Sequence, residues 1–159
     1  MSDIDSMVRI RPMRDSDLNF VRSSWLKSYR RTVPDVLNDV YFRLHWEVAM
    51  GLLDRPGVRS LVACSSADDD QLIGWACGEP GAGGKGRALA HYCYVKHTFR
   101  GMGIARQLVS EVLSGGTSRD VTATHVPLED MRKRLEGMGW IFRPQFAFYL
   151  AMERDPEAA

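Results

Sequence analysis

The sequence predicts an α/β fold: one mixed central sheet of about seven strands flanked by about four helices, in the order β-α-α-β-β-β-α-β-α-β-β. Three observations carry this prediction. Short runs with period-two alternation are interleaved with longer runs of helical period. Residues that favour turns separate nearly every pair of runs. And 159 residues, 45% hydrophobic and 26% charged, have the size and composition of one ordered domain. That single domain is placed at residues 8–152, with loose termini at 1–7 and 153–159.

Val8-Arg9-Ile10-Arg11-Pro12 alternates and stops at a proline, which reads as the first strand. Asp15 or Ser16 is placed to N-cap a helix running to about Tyr29, with Leu18, Val21, Trp25 and Tyr29 on one face. Pro34-Asp35 opens a second helix, because proline is tolerated in the first turn. Its buried stripe is Val36, Val40, Leu44 and Val48, and Asp54-Arg55-Pro56-Gly57 ends it. Residues 60–64 are a strand, Asp68-Asp69-Asp70 a solvated turn and 71–78 the return strand. A proline and closely spaced glycines make 79–86 a loop, followed by a strand at 87–95. Ile104, Ala105, Leu108, Val109, Val112 and Leu113 mark an amphipathic helix that begins near Gly103 and stops at Gly115-Gly116. A strand at 120–126 follows. Leu128, Met131, Leu135 and Met138 mark a helix ended by Gly139, and strands at 140–143 and 146–152 complete the sheet around Pro144-Gln145.

The composition excludes several classes. Lys+Arg 21 against Asp+Glu 20 leaves a formal charge of +1, so bulk charge does not hold this chain on nucleic acid or membrane. No stretch approaches the ~18–20 apolar residues of a membrane span. The opening Met1-Ser2-Asp3-Ile4-Asp5-Ser6 is polar and acidic, unlike a secretory signal. Cys64, Cys77 and Cys93 sit in apolar runs and read as buried thiols in a reducing compartment, although Cys64 and Cys77 could be neighbours across a hairpin. A cytoplasmic protein is expected. His97 and His125 stand isolated, no His/Cys/Asp/Glu group has metal-ligand spacing, and no metal is expected.

The stretch that carries chemistry is Tyr94-Val95-Lys96-His97-Thr98-Phe99-Arg100-Gly101-Met102-Gly103-Ile104-Ala105. It is a strand, a glycine-bearing turn and a helix start. Backbone N–H groups at a helix N-terminus, with its partial positive charge, suit a phosphate or pyrophosphate. Side chains at Gly101 and Gly103 would stand between that anion and the backbone. The alternative is a plain turn into a helix, for which one glycine would suffice. A dinucleotide loop needs a third glycine where Arg106 stands. A P-loop fails because Gly84-Lys85 is followed by Gly86 and Glu79 occupies its first glycine position.

Arg100-x-x-Gly103-x-Ala105 matches the [RQ]-x-x-G-x-[GA] signature of the Gcn5-related N-acetyltransferases (GNAT). Val95 five residues before the arginine, Phe99 directly before it and the late Gly139-Trp140 turn agree with it. The chain resembles this superfamily in element order from Val8 to Met152. The resemblance implies a GNAT-like sheet and an N-acyltransferase that moves an acetyl group from acetyl-CoA to an amine. It implies that the amides of Arg100, Gly101, Met102, Gly103, Ile104 and Ala105 bind the CoA pyrophosphate, with Arg106 near the phosphates. It further implies a bulged fourth strand that splays from the fifth, with the pantetheine arm in that gap beside Cys93, Tyr94 and Val95. The thioester oxyanion would then be met by the Val95 or Tyr94 amide.

The acceptor amine must lose a proton to attack. His91 lies four residues before Val95, and an imidazole titrates near working pH. Arylalkylamine acetyltransferases carry a catalytic histidine at this strand position, and His91-Tyr92-Cys93-Tyr94-Val95 is similar there. The competing reading is a histidine hydrogen-bonded within the sheet. The family's usual tyrosine acid falls on Leu135, which fits an apolar stripe, and its helix-opening asparagine falls on Leu128. Tyr92 is the catalytic tyrosine carried forward, with Tyr94, Tyr29 and Tyr149 as other candidates. Family acceptor sites draw on the first two helices, so Tyr29 and Arg30 are the candidate acceptor residues, beside Arg31, Tyr41, His45 and Trp46. Trp25 reads as core.

The expected partner is a small-molecule or protein amine, with the chain a monomer or homodimer. Two further functions stay open. One is a CoA-binding module without transfer activity, motivated by Leu135. The other is a modifier of nucleic acid or of a partner protein, since Arg30-Arg31 is basic and residues 23–30 resemble small phage-encoded members of the superfamily. Near-neutral charge counts against nucleic acid.

Overall fold

Residues 6–81, 88–113 and 120–153 are described by the computed structural model of the protein. The expected loop at 82–86, the helix stop at Gly115-Gly116 and most of both termini lie outside them. The alternating run Val8–Pro12 forms β1, antiparallel to β2, Arg59–Ser65. β2 pairs antiparallel with β3, Leu72–Glu79, and β3 with β4, Ala88–Val95. β4 runs parallel to β5, Val121–Ala123, and β5 parallel to β6, Ile141–Phe142. The result is one six-stranded mixed sheet in chain order. A parallel pair needs a crossover, and helices supply both: α3, Ile104–Val112, and α4, Glu129–Gly137.

Helices cover both faces. α3 lays Ile104, Leu108 and Val112 against Ile73, Ala76 and Val121. On the other face α1, Leu18–Tyr29, and α2, Asn38–Leu53, pack Val21, Trp25, Val48 and Leu52 against Val62, Trp75 and Cys77. β3 is therefore covered on both sides, and residues 73–78 are buried without interruption. Near the start of the chain, buried Arg11 holds Asp17 with two N–H bonds of 2.7 and 3.0 Å, and the Arg14 amide adds a third at 2.8 Å. Burial acts to raise the Asp17 carboxyl, but these donors outweigh it and hold the group below its ordinary range. Arg9, Arg11 and Arg14 also hold the Asp69 turn, the first and last through its carboxylate and Arg11 through its carbonyl.

The last element differs from its expected form. Gln145–Met152 is a helix, α5, so among the described residues the sheet has six strands, with helices α1 to α5 around it. A strand was expected at 146–152, but the segment has no β-branched residue to favour one. Pro144 stands at its N-cap with φ −60°. Ala147, Leu150 and Ala151 fall at helical spacing and join the α1–α2 cluster. Gly51 makes this docking possible: a Cβ there would lie 2.4 Å from the Ala151 carbonyl oxygen.

Two stripes also rotate. In α2 the helix starts at Asn38, and the inward face is Tyr41, Val48, Ala49 and Leu52, while Val36 and Leu44 are exposed. In α4 Leu128, Met131 and Met138 are exposed, and Leu135 alone of the four packs on the α3-side cluster.

Candidate active site

Beyond Val95 the chain makes a short 3₁₀ turn, His97–Phe99, closed by the Arg100 amide on the His97 carbonyl at 3.2 Å. Gly101 and Gly103 both take φ of +80°, and Gly103 caps α3 in the left-handed region. The first helical bond runs from the Gln107 amide to the Gly103 carbonyl at 3.1 Å. The amides of Ile104, Ala105 and Arg106 are left without an intrahelical acceptor. A Cβ added at Gly101 or Gly103 would meet nothing within 4 Å. An open face lined by backbone donors therefore lies where Arg100, Met102 and Arg106 are also exposed. The Arg100 Nε folds back to donate to the Val95 carbonyl at 2.9 Å.

The adjoining strands part. β4 and β5 pair at Ala88, Leu89 and Ala90, and the Thr124 amide donates to the Ala90 carbonyl at 3.1 Å. At that level β4 carries an extra residue against β3: the register runs Cys77↔Tyr92 and then Gly78↔Ala90. His91 is that bulged residue, and a bulge bends its strand. The Lys96 amide donates to the Ile73 carbonyl at 2.9 Å. Alternate residues of an antiparallel ladder turn their polar groups to opposite edges. Tyr92 and Tyr94 thus face β3, while Cys93 and Val95 turn their amides toward the gap.

His91 has a side chain with no exposed surface. Its Nε2 lies 2.7 Å from Glu79 Oε2 and its Nδ1 3.0 Å from Thr124 Oγ1. Both ring nitrogens are thus taken inside the sheet, so His91 does not itself front the gap. Glu79 was expected in a loop but ends β3, where Arg55 also holds it at 3.0 and 3.2 Å. Burial acts to raise this carboxyl, and bonds from His91 and Arg55 hold it below its ordinary value.

His125 is not isolated. Its Nδ1 lies 3.1 Å from Thr124 Oγ1, and its Nε2 3.2 Å from His45 Nε2. His45 is stacked between Tyr29, with ring centroids 4.9 Å apart, and Tyr41, at 5.3 Å. Burial lowers His45 to about 4 and, together with the neighbouring histidines, His125 well below its usual value. Sequence reading did not link these residues, because they come from β4, the end of β5 and α2.

Tyr92 stacks on Trp25 at 5.2 Å and lies 2.6 Å from Ser28 Oγ. Ser28 donates its own proton to the Ser24 carbonyl at 2.6 Å, so the Tyr92 hydroxyl is the donor of the pair. Its proton therefore points at α1, and burial pushes its pKa up to about 12. Trp25 is fully buried, as its stripe predicts. Tyr29 lines a cleft of about 410 Å³ with Arg31, Thr32, Val126, Leu128 and Glu129. Arg30 is occupied elsewhere: it binds Asn38 Oδ1 at 3.0 Å and the Val33 and Val36 carbonyls, clasping the link into α2. That takes away part of the basic surface on which nucleic-acid modification rested. Among the described residues no group of three or more His, Cys, Asp or Glu could hold a metal ion, and no helix is long and apolar enough to cross a membrane.

Leu135 supports the end of α4, where its carbonyl accepts from the Met138 and Trp140 amides at 3.0 and 3.1 Å. Leu135→Ala is expected to cost about 2 kcal/mol, the low end for a large-to-small change because the site is half-buried. A thermal melt checks this, with CoA affinity expected to be unchanged in the folded protein.

Solved structures with this fold include YycN from Bacillus subtilis, with a TM-score of 0.51 at 12% identity over 93% of this chain and 92% of that one. The ribosomal-protein-alanine N-acetyltransferase from Brucella melitensis biovar Abortus 2308 scores 0.49 at 23% identity, over 83% and 90%. Aminoglycoside N-acetyltransferase AAC(6')-Iy in complex with CoA scores 0.49 at 19%, over 84% and 87%. No curated protein sequence matches the chain. The model of the acetyltransferase (GNAT) family matches residues 18–131 and so takes in α1, α2 and α3, the parted strands and the glycine loop: this chain belongs to that family.

Proposed function

We propose that the protein is an N-acyltransferase that moves an acetyl group from acetyl-CoA to an amine. The observation that carries this reading is the continuity of the open glycine loop with the gap between β4 and β5. The loop offers the amides of 101–106 to a pyrophosphate. The gap offers the strand amides of Cys93 and Val95 to an extended arm, which would satisfy polar groups that β5 no longer meets. The Val95 amide then faces the thioester oxygen as charge develops on it.

In the reaction the neutral amine attacks the thioester carbonyl carbon, the C–S bond breaks, and the amine proton passes to a base. The thiolate takes up a proton on leaving. Tyr92 keeps its proton near neutral pH but directs it to Ser28, so it orients α1 against β4 in this arrangement. The cleft beside Tyr29 is the proposed acceptor site. Its Glu129 carboxylate suits a small-molecule or protein amine. A second reading, a CoA-binding module that does not transfer, is motivated by Leu135, which stands where the family's tyrosine acid falls and packs half-buried against the α3-side cluster.

Calorimetry with CoA and acetyl-CoA, followed by thiol release with a panel of amines, separates these readings. Binding of both with amine-dependent thiol release is the expected result. Binding without release for every amine would favour the module, and no binding would overturn both.

A further inference from the structure

We propose that His45, His125, Thr124, His91 and Glu79 form a proton wire. Its open end, His45 Nδ1, takes the proton that the acceptor amine gives up, and its closed end, the His91–Glu79 pair, holds it until the hops reverse and the leaving thiolate takes it up. The catalytic half of this inference rests on the acyl-transfer reading above; the wire itself does not.

Four consecutive links of 2.7, 3.0, 3.1 and 3.2 Å join Glu79 to His45. Glu79 sets their direction. Glu79, ionised beside Arg55, accepts only, so His91 donates from Nε2. With that one proton on its ring, His91 accepts at Nδ1, and the donor there among the described residues is the Thr124 hydroxyl. Thr124 has spent its proton, so His125 must donate to it from Nδ1. The His125 Nε2 is left as an acceptor and takes the His45 Nε2 proton. Every donor points the same way, and the remaining lone pair is on His45 Nδ1, which has no hydrogen-bond partner among the described residues.

A proton added at His45 Nδ1 can move without stranding a charge. His45 passes its Nε2 proton to His125 Nε2, and His125 passes its Nδ1 proton to Thr124. Thr124 passes its hydroxyl proton to His91 Nδ1. His91 is then an imidazolium against the Glu79 carboxylate, and every other member is neutral with its hydrogen bond reversed. Burial opposes a charge on His45 or His125, so the positive charge has its partner only at the closed end.

The surroundings agree. The groups facing the wire are Arg55, which also binds Glu153 at 2.6 Å, the thiol of Cys77, and the rings of Trp25, Tyr29, Tyr41 and Tyr92. Arg30 lies 5.2 Å over Tyr41. Burial raises all three tyrosines, so none competes for the proton near neutral pH. Its closed end lies at the bulge where β4 and β5 part, and His45 and His125 pack on the ring of Tyr29, a wall of the acceptor cleft, with centroids 4.9 and 4.7 Å away.

Tautomer-resolved proton–nitrogen NMR on the full chain tests the wire without CoA or acceptor. At neutral pH the expected protons are on His45 Nε2, His125 Nδ1 and His91 Nε2. Any other tautomer at His91 or His125 overturns the ordering. As a proton enters the wire on acidification, His45 is expected to switch its own proton from Nε2 to Nδ1. Thr124→Val removes the hydroxyl at nearly constant shape, and His45 should then keep its proton on Nε2 under the same conditions. A switch that persists in Thr124→Val overturns the wire.

In turnover, Thr124→Val is expected to lower kcat by roughly 10²-fold, the lower end for proton-transfer catalysis, and to shift the pH profile. The KM for acetyl-CoA should not change, and Thr124→Ser should restore the rate. Unchanged kcat and pH profile in Thr124→Val would overturn the catalytic half. Failure of the wild-type chain to bind CoA would overturn the acyl-transfer reading, with the tautomers still deciding the wire.

Discussion

Gly103→Asp is expected to weaken CoA and acetyl-CoA by roughly 100-fold or more, about 2.7 kcal/mol or above. Three effects add. Gly103 sits at φ +80°, which an ordinary side chain resists. The new side chain enters the open face where a pyrophosphate would meet the amides of Ile104, Ala105 and Arg106. And its carboxylate places negative charge beside a doubly charged ligand, at a helix end that it would itself occupy. The fold is expected to survive, since nothing lies within 4 Å of the added Cβ. Gly103→Asn separates the effects: asparagine visits the left-handed region much as aspartate does, is nearly the same size and carries no charge. Calorimetry should place Asn between glycine and Asp. Undiminished affinity in folded Gly103→Asp would remove the loop from the binding site.

Trp25→Ala is expected to lower stability by about 3–5 kcal/mol, the range for deleting a large buried aromatic. Trp25 is 0% exposed and is the hub of the aromatic cluster, 5.3 Å from Trp75, 5.2 Å from Tyr92 and 5.1 Å from His125. Its removal opens a cavity under three elements at once. Trp25→Phe should cost much less, because the Trp25 Nε1 has no hydrogen-bond partner to lose. Trp75→Phe is the contrast: there the indole donates to Ser24 Oγ at 2.8 Å, so the change adds a broken bond to the lost volume. Chemical denaturation of the three variants checks the order, with Trp25→Ala the least stable. Equal losses in Trp25→Phe and Trp75→Phe would show that the bond to Ser24 contributes nothing.

The glycine loop was legible because its parts are contiguous. Residues 95–106 carry the strand end, the turn and the helix start in one stretch, and the backbone that binds belongs to the same residues that are read. A bulged fourth strand that splays from the fifth followed from the family resemblance, and the register places the bulge at His91 and the end of the β4–β5 pairing at Ala90. The His91–Thr124–His125–His45 chain was not legible. Its members lie up to 80 positions apart, and no local spacing distinguishes a histidine that meets another across the fold from one that stands alone.

What the sequence by itself determined is the alternation of strands and helices through residue 143, the single mixed sheet, the amphipathic face of α3 and the glycine loop. Each is set by local period, turn chemistry or backbone freedom, which act over a few residues. Tertiary structure alone decided that 145–152 is helical, because its inward residues are ranked by the surface they meet, and Gly51 on α2 supplies that surface. It also decided which face of α2 points inward. Tyr41 and His45 carry polar atoms, and they face inward because the Leu26 carbonyl and His125 supply their partners at 2.6 and 3.2 Å. Polar groups are buried where a partner waits, and the partner's position is a property of the whole fold.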